Sequence, residues 1–205
     1  MRLIADSADV VALQEVPLWG ISRLAQWAGM RAFAAPTKRA LLGRLARTAQ
    51  RLDPKRVRSP LTGQASAILI GPRLDVIEAR ETPITPPGWP DELRFCQHVR
   101  VEAHGRALAV ANLHATTRNA AAARAELERV AALVEGEQSC VVLGDFNLPG
   151  AGLPSFSTPL PGIDQVLVRG LELVEGPAPW PEDRRAHAGR LLSDHAPVEA
   201  VIEWS

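Results

Sequence analysis

Short apolar runs of strand length recur along this chain, and several of them end in a polar side chain. The run VVALQEV, residues 10–16, is rich in β-branched residues, which is typical of a strand buried on both faces. Comparable runs occupy residues 31–34, 65–70, 75–79, 93–103, 106–114, 140–144, 163–168, 171–174 and 198–204. A chain of 205 residues with this many strands is predicted to form a single domain that contains more than one β-sheet.

Helical spacing of apolar residues appears in three segments between these strands. The segments are residues 18–30, residues 38–52, and the Ala-, Arg- and Glu-rich residues 119–135, which end before Gly136. Gly often ends a helix, and the Ala-, Arg- and Glu-rich composition of residues 119–135 favours helix. Many strands with a few interleaved helices predict two packed sheets with helices outside, and the lack of any linker or repeat predicts one domain over residues 1–205.

Loops and a hairpin are predicted from Pro and Gly. The Pro-rich residues 82–90 and the Pro- and Gly-rich residues 148–161 are predicted loops, because Pro lacks a backbone donor and fixes φ. His104 and Gly105 separate two apolar runs and predict a hairpin turn. His98 and His104 are therefore expected at the surface.

The charge balance limits the kind of partner. The chain has 23 basic and 23 acidic side chains and 46% hydrophobic residues, which excludes a disordered chain and a uniformly basic nucleic-acid binder. Residues 38–58 nevertheless carry eight Lys or Arg side chains against one acid, Asp53. This segment is either a phosphate-binding patch or the solvated face of the predicted helix.

Two cysteines, Cys96 and Cys140, are too few for a disulfide scaffold and are interpreted as reduced structural thiols of a cytoplasmic protein. No stretch approaches the roughly 18 apolar residues of a membrane helix, so no transmembrane segment is expected. The acidic residues Asp6, Asp9 and Glu15 exclude a signal peptide in the first residues.

Acidic, amide and imidazole side chains lie at the ends of predicted strands. Glu15 ends VVALQEV, His114 ends LAVANLH, Asp145 and Asn147 close VVLGDFN, Asp164 opens IDQVLV, and Asp194 with His195 precedes the last strand. Each alone is more often a solvated strand end or a turn residue. Together they would carry large desolvation penalties unless they met one another or a cation.

The donor types indicate the chemistry of such a site. Carboxylate and amide oxygens suit Mg²⁺ or Mn²⁺ better than Zn²⁺, and no Cys/His spacing typical of a zinc site is present. Two histidines and an Asp that could orient one of them supply an acid and a base for hydrolysis. The composition of the site suggests metal-assisted attack of water on a phosphoester.

The motifs LQEV, NLHAT, LGDFN, IDQVLV and SDHAPV, in this order, resemble those of the endonuclease/exonuclease/phosphatase family. That group includes pancreatic deoxyribonuclease, abasic-site endonucleases, sphingomyelinases and inositol polyphosphate 5-phosphatases. The resemblance covers residues 3–204, and GDFN together with SDH is its most specific part. It implies a four-layer α/β sandwich, with two face-to-face, mostly antiparallel β-sheets flanked by helices, and a divalent-metal phosphoesterase site at one edge.

Metal and phosphate ligands follow from the resemblance residue by residue. Glu15 is implied as the principal metal ligand and Asp194 as a second carboxylate near the metal. Asp145 and Asn147 are implied to bind a second metal position or the phosphate and to place the nucleophile. Mg²⁺ or Mn²⁺ is the implied cofactor.

The acid and base are implied in the same way. His195, oriented by Asp164, is the implied base or electrostatic partner for the attacking water. His114 is implied to hydrogen-bond the phosphate and to protonate the leaving oxygen. Arg118, four residues beyond His114, is a candidate phosphate contact or a surface residue at a helix start.

Departures from the family pattern indicate which branch of the family the chain resembles and which strand is expected to be missing. Abasic-site endonucleases have Tyr where this chain has His114, and the chain has no Tyr, so the deoxyribonuclease and sphingomyelinase branches are more similar. Their Glu partner for that His is replaced here by Gln64 or Ser66 at most. The family's first strand, which ends in Asn, is expected to be missing, because residues 1–6 resemble the helix that follows it.

Three functions remain open at this stage. The first is a Mg²⁺-dependent phosphodiesterase or phosphomonoesterase that acts on a small or lipid-linked phosphoester. The second is a nuclease of the same fold, favoured by residues 38–58. The third is a non-catalytic member that has lost the first strand. A protein start that lies further upstream is the competing explanation for the missing strand. A monomer is expected, and the predicted loops at residues 82–90, 148–161 and 176–190 do not identify the substrate.

Overall fold

The computed structural model describes residues 8–38, 63–86, 93–187, 190–191 and 193–205. The helix predicted over residues 38–52 and nearly all of the basic segment at 38–58 lie outside the described residues, apart from the backbone of Lys38.

The described chain contains twelve strands and three helices. The strands are β1 (Val10–Pro17), β2 (Arg31–Lys38), β3 (Gln64–Ile70), β4 (Asp75–Pro83), β5 (Phe95–Ala103), β6 (Arg106–His114), β7 (Cys140–Asp145), β8 (Asp164–Arg169), β9 (Glu172–Pro179), β10 (Ala186–His187), β11 (Arg190–Leu191) and β12 (Val198–Glu203). The helices are α1 (Ile21–Ala28), α2 (Ala120–Leu133) and α3 (Glu182–Arg185). The prediction of a mixed α/β fold with interleaved helices is confirmed.

Two larger sheets contain eight of the twelve described strands. One has five strands in the order β4-β5-β6-β7-β8, and the other has three in the order β1-β3-β2. All neighbouring pairs in the two sheets are antiparallel except β6 and β7, which α2 connects as a parallel pair. Because β6 and β7 run in the same direction, their carboxyl ends meet at one edge of the sheet. His114 pairs with Asp145 at that edge.

The two sheets pack face to face. Ile68 and Ile70 of β3 belong to one buried cluster with Val99 and Val101 of β5 and Val110 of β6. The opposite face of the five-stranded sheet packs against Ala123, Leu127 and Val130 of α2, and the outer face of the three-stranded sheet packs against Ile21 and Leu24 of α1. The resulting order is helix, sheet, sheet, helix, which agrees with the four-layer sandwich that the sequence implies.

A buried network of amides joins the two sheets near the edge where β6 and β7 end. The Asn112 amide, fully buried in β6, donates to Ala67 O of β3 at 3.2 Å and to Gln97 Oε1 at 2.9 Å, and its Oδ1 accepts from Gln14 Nε2 of β1 at 2.7 Å. Gln97 Nε2 in turn donates to Phe33 O of β2 at 2.8 Å. Because a buried polar group that loses its partner is costly, this network fixes the register of one sheet against the other.

Two predicted loops begin later than expected. β4 continues through Thr82 and Pro83, which pair with Cys96 and Phe95, and β9 continues to Pro179. β4 lies at the edge of its sheet, where a strand does not need every backbone donor, so Pro is tolerated there. The short helix α3 was also not expected within the predicted loop at 176–190.

The expectation of a missing first strand stays a prediction. Among the described strands, β1 pairs with β3 alone, and β12 pairs with β9 alone. The paired strands β9 and β12 form a separate two-stranded sheet.

Both cysteines are free and buried, as expected for structural thiols. Burial, followed by the nearby Cys140, raises the pKa of the Cys96 thiol to about 12, and burial raises the pKa of Cys140 to about 12. Neither thiol is therefore activated as a nucleophile near neutral pH. In the described part of the chain, no helix is long and apolar enough to cross a membrane.

The prediction that His98 is a surface residue is wrong. Its side chain is 14% exposed, and Nε2 lies 3.5 Å from Glu137 Oε1. Burial lowers the pKa of His98, Glu137 and Glu78 oppose that shift, and Arg100 and Arg80 add to it. The strand pairing explains the burial, because His98 lies opposite Arg80 of β4 and Ala111 of β6 and is therefore inside the sheet.

The pH dependence of stability is expected to report this burial. As the pH falls below the ordinary range of His, the unfolded chain binds a proton before the folded chain does, so stability is present above that range and lost as the pH falls through the folded pKa. His98→Gln is expected to reduce this acid-induced loss in denaturant unfolding measured from pH 7.5 to 5. His104→Gln, in the exposed turn, is the control, and an equal effect of both variants would contradict the assignment.

Candidate active site

The loop after β7 is folded around Asp145. Asp145 Oδ1 accepts a hydrogen bond from Asn147 N–H at 2.8 Å, and Asn147 Nδ2 donates to Ala115 O at 2.8 Å. Phe146 between them is fully buried in the core under α2. This local motif holds the Asp145 carboxylate and the Asn147 amide at the carboxyl edge of the sheet, next to the end of β6.

Asp164 and His195 form a second element of the site. Asp164 begins β8 and pairs with Asp145, and His195 Nδ1 lies 3.0 Å and 2.9 Å from the two carboxylate oxygens of Asp164. An ionised carboxylate only accepts hydrogen bonds, so Nδ1 carries the proton and donates it. The imidazole is thereby oriented with Nε2 available for a second interaction.

The close approach of these groups fits a cation. Asp145, Asp164 and His195 each offer a ligand atom within 4.8 Å of the others. Burial raises the pKa of Asp145 and the charge of Asp164 adds to this, while the hydrogen bond from Asn147 N–H and the charges of His195 and Arg94 oppose it. Two adjacent carboxylates of which one is buried are stabilised by a divalent cation, and their oxygen donors are those that Mg²⁺ and Mn²⁺ prefer.

The charge of the site also acts on His195. Burial alone would lower the pKa of His195, but the hydrogen bond and charge of Asp164, with the charges of Asp145 and Asp194, outweigh it and raise the pKa above its usual range. The carboxylates therefore favour the imidazolium form. This is the form that results when a histidine removes a proton from water.

His114 lies beside the same carboxylate. It ends β6 with its side chain 9% exposed, and its Nε2 lies 3.6 Å from Asp145 Oδ2. The next residue, Ala115, donates its N–H to Asp145 O at 2.8 Å. Strands β6, β7 and β8 and the segment before β12 thus bring together His114, Asp145, Asn147, Asp164 and His195.

Glu15, Asp194 and Arg118 are exposed, unlike the five residues named above. Glu15 is exposed near the end of β1, with φ of 56°, where the pairing with β3 shifts register between Leu13 and Val16. Asp194 is exposed, although its charge contributes to the pKa of His195. Arg118 is exposed immediately before Asn119, the N-cap of α2. The metal-binding role of Glu15 and Asp194 and the phosphate contact of Arg118 stay predictions.

The sequence model of the endonuclease/exonuclease/phosphatase family matches residues 1–195. The chain belongs to this family. The resemblance carried by the strand-end motifs is therefore confirmed. A comparison with curated proteins gives no match.

Several solved structures share the fold of this chain. A conserved protein of unknown function from Enterococcus faecalis is 17% identical, with a TM-score of 0.75, 100% of this chain and 89% of that chain covered. A mannosyl-6-phosphatase from Bacteroides thetaiotaomicron is 15% identical, with a TM-score of 0.64, 97% of this chain and 86% of that chain covered. D. rerio TDP2 in complex with a single-strand DNA product is 16% identical, with a TM-score of 0.63, 93% of this chain and 84% of that chain covered. At these identities the likeness shows the fold alone.

Membership of the endonuclease/exonuclease/phosphatase family supports a hydrolase at a coarse level. One residue close to the site was missed in the sequence. Arg94 is buried, and its charge opposes the rise in the pKa of both Asp145 and Glu126. The signal in the sequence is the position of Arg94, a charged residue within the strand predicted at 93–103.

Proposed function

We propose that this protein is a divalent-metal-dependent phosphoesterase that hydrolyses a phosphodiester or phosphomonoester by attack of water. The observation that carries the proposal is the meeting of Asp145, Asp164 and His195, with ligand atoms within 4.8 Å, beside the buried His114. A structural ion pair would need neither the second carboxylate nor the second imidazole. Two carboxylates, two imidazoles and an amide at one strand edge are the groups that such a hydrolysis requires.

The proposed cofactor is Mg²⁺ or Mn²⁺. Asp145, Glu15 and Asp194 are the proposed ligands. Asp164 is not among them, because both of its carboxylate oxygens face His195 Nδ1. When bound, the cation neutralises charge on the phosphoryl oxygens and acts as a Lewis acid.

The protein's own residues account for the proton transfers. His195 is held by Asp164 through Nδ1, so its Nε2 is proposed to accept a proton from the attacking water, and Asp164 stabilises the resulting imidazolium. His114 is proposed to hydrogen-bond the phosphate or to protonate the leaving oxygen. The Asn147 amide, with Arg118, is proposed to contact the phosphate.

Kinetics of a generic diester test this assignment. Hydrolysis of bis(p-nitrophenyl) phosphate is expected to require Mg²⁺ or Mn²⁺ and to stop with a chelator. His195→Ala is expected to lower kcat by about 10²–10⁴-fold, the usual contribution of a general acid or base. Glu15→Gln is expected to raise the Mg²⁺ concentration needed for half-maximal rate.

The control for these variants is His104→Ala, which removes an exposed imidazole in the β5–β6 turn. It is expected to retain the wild-type rate. Unchanged hydrolysis in His195→Ala would contradict the proposed role of His195 as the base. Hydrolysis that persists in the chelator would contradict the proposed metal dependence.

A nuclease is the second candidate. Eight Lys or Arg side chains against one acid within residues 38–58 favour it, because neutralised phosphates supply much of the affinity for nucleic acids. The relation to D. rerio TDP2 bound to a single-strand DNA product points the same way. Cleavage of single-stranded or plasmid DNA that is lost when the basic residues of this segment are replaced by Gln, with hydrolysis of the small diester retained, would favour the nuclease.

A further inference from the structure

The segment that follows His114 leaves the sheet and is held by hydrogen bonds from three directions. Ala115 donates its N–H to Asp145 O at 2.8 Å, and its own carbonyl accepts from Asn147 Nδ2 at 2.8 Å. Thr116 follows, beyond the last paired residues of β6 and β7. It therefore needs a partner from another element, since a buried backbone N–H is rarely left unpaired.

Glu126 of α2 supplies that partner with both carboxylate oxygens. Oε2 accepts the backbone N–H of Thr116 at 2.6 Å, and Oε1 accepts the Thr116 hydroxyl at 2.7 Å. Glu126 is 0% exposed and Thr116 is 5% exposed. One buried carboxylate thus replaces a strand partner for the residue two positions after His114.

Stability alone does not explain a carboxylate at this position. Burial raises the pKa of Glu126, opposed by the two hydrogen bonds from Thr116 and by the charges of Arg94 and Arg129. Burying an ionised carboxylate is costly even when it is paired. Arg129 is itself fixed, because it donates to Ile84 O at 3.0 Å and to Thr85 O at 2.7 Å.

The Glu126 carboxylate also shares a charged neighbour, Arg94, with Asp145 of the active site. The charge of Arg94 acts on Glu126 and on Asp145, and the backbone N–H of Arg94 donates to Thr85 Oγ1 at 2.6 Å. The same guanidinium thus acts on both carboxylates, whereas the hydrogen bonds that join Glu126 to the strand end run to Thr116.

We propose that Glu126 is a positioning residue: by binding both polar groups of Thr116, it fixes the end of β6 and holds the His114 imidazole beside Asp145. This inference rests on the proposed function, in which His114 contacts the phosphate. Glu126 touches no reacting atom, so its proposed effect on the rate passes through the position of His114.

Kinetics of two substitutions at position 126 test the proposal. Glu126→Ala is expected to lower kcat for bis(p-nitrophenyl) phosphate by about 10- to 100-fold, as loss of an outer-shell partner commonly does. Glu126→Gln is expected to restore most of the rate, because an amide accepts the Thr116 N–H through oxygen and donates to the hydroxyl through nitrogen. Glu128→Ala, an exposed position on the same helix, is the matched control and is expected to retain the wild-type rate.

A double-mutant cycle separates positioning from a general loss of structure. In a His114→Ala background, Glu126→Ala is expected to cause no further fall in kcat, because the residue through which it acts is gone. A further fall of the same size as in the wild type would overturn the proposal. Thr116→Val, which keeps the backbone N–H, serves if Glu126→Ala does not fold, and it is expected to lower kcat several-fold and to show the same dependence on His114.

A spectroscopic readout distinguishes this inference from the proposed function. In the metal-free protein at fixed pH, Glu126→Ala is expected to shift the His114 imidazole resonance in the NMR spectrum, and Glu128→Ala is not. If the wild type hydrolyses no phosphoester but the resonance moves, the proposed function fails and the positioning of His114 stands. An unmoved resonance with unchanged kcat in Glu126→Ala would overturn the positioning role.

Discussion

Asp145→Asn is expected to lose phosphoester hydrolysis while gaining stability in the metal-free protein. Asp145 is buried, lies next to Asp164 in the β7–β8 pair and is 3.6 Å from His114 Nε2. The variant keeps the hydrogen bond from Asn147 N–H, because the Asn side-chain oxygen also accepts, and it removes one of two crowded negative charges. Hydrolysis is expected to fall by at least about 100-fold, since loss of an outer-shell group alone costs about 10- to 100-fold.

The gain in stability follows from the raised pKa of Asp145. A carboxyl whose pKa is higher in the folded chain than in the unfolded chain contributes stability at acid pH, and that contribution is lost as the pH rises through the folded pKa. At neutral pH, with a chelator present, ionised Asp145 therefore destabilises the wild type, and Asn removes the effect.

The measurement is thermal unfolding in a chelator, beside diester hydrolysis in Mg²⁺. Asp145→Asn is expected to have a higher Tm than the wild type in the chelator. Added Mg²⁺ is expected to raise the Tm of the wild type but not that of the variant. Asp75→Asn, an exposed position at the start of β4, is the control. A lower Tm of Asp145→Asn in the chelator would contradict this, because it would show that the Asp145 carboxylate stabilises the metal-free protein.

Gly144→Ala is expected to have the largest effect on stability. Gly144 has φ of 134°, and a Cβ at this position would lie 2.0 Å from Leu113 O and 3.0 Å from Asn112 Oδ1. Leu113 is its partner in the parallel β6–β7 pair, so relief requires the two strands to separate beside Asp145. A backbone strain of about 1–3 kcal/mol adds to this clash, and the total is a large part of the roughly 5–15 kcal/mol by which domains are stable.

Chemical denaturation and soluble yield measure this effect. Gly144→Ala is expected to lose at least about 3 kcal/mol, the sum of such strain and a core clash, and to lose hydrolysis with it. Gly136→Ala is the matched control, because a Cβ at Gly136 meets nothing within 4 Å. Equal stabilities of the two variants would mean that the close approach of β6 and β7 at Leu113 is not rigid.

The sequence predicts the fold well where one local pattern determines it. The β-branched apolar run of β7 and the helical spacing of α2 give these elements within one or two residues of their observed bounds, because burial of an apolar face sets both patterns. The end of β4 was missed, since Pro83 is unfavourable in most strands and is accepted only at the edge of a sheet, which sequence spacing does not reveal.

The site is predictable in its members and less so in its contacts. Asp145 and Asn147 follow an apolar strand, so their position at a sheet edge follows from the pattern. The contact of Glu126 with Thr116 and the burial of Arg94 depend on how α2 and β5 pack. The sequence pattern alone places each of these groups among solvated charges, and Glu126 is one of several charges on an amphipathic helix. Only the packed structure distinguishes it from Glu128.

Calorimetric titration of Mn²⁺ tests the central claim, that the strand-end carboxylates form a cation-dependent hydrolytic site. The wild type is expected to bind Mn²⁺, Asp145→Asn is expected to bind it at least about 10-fold more weakly, and hydrolysis of bis(p-nitrophenyl) phosphate is expected to follow the bound fraction. Equal Mn²⁺ affinity of the two proteins, or hydrolysis by a wild type that binds no metal, would contradict it.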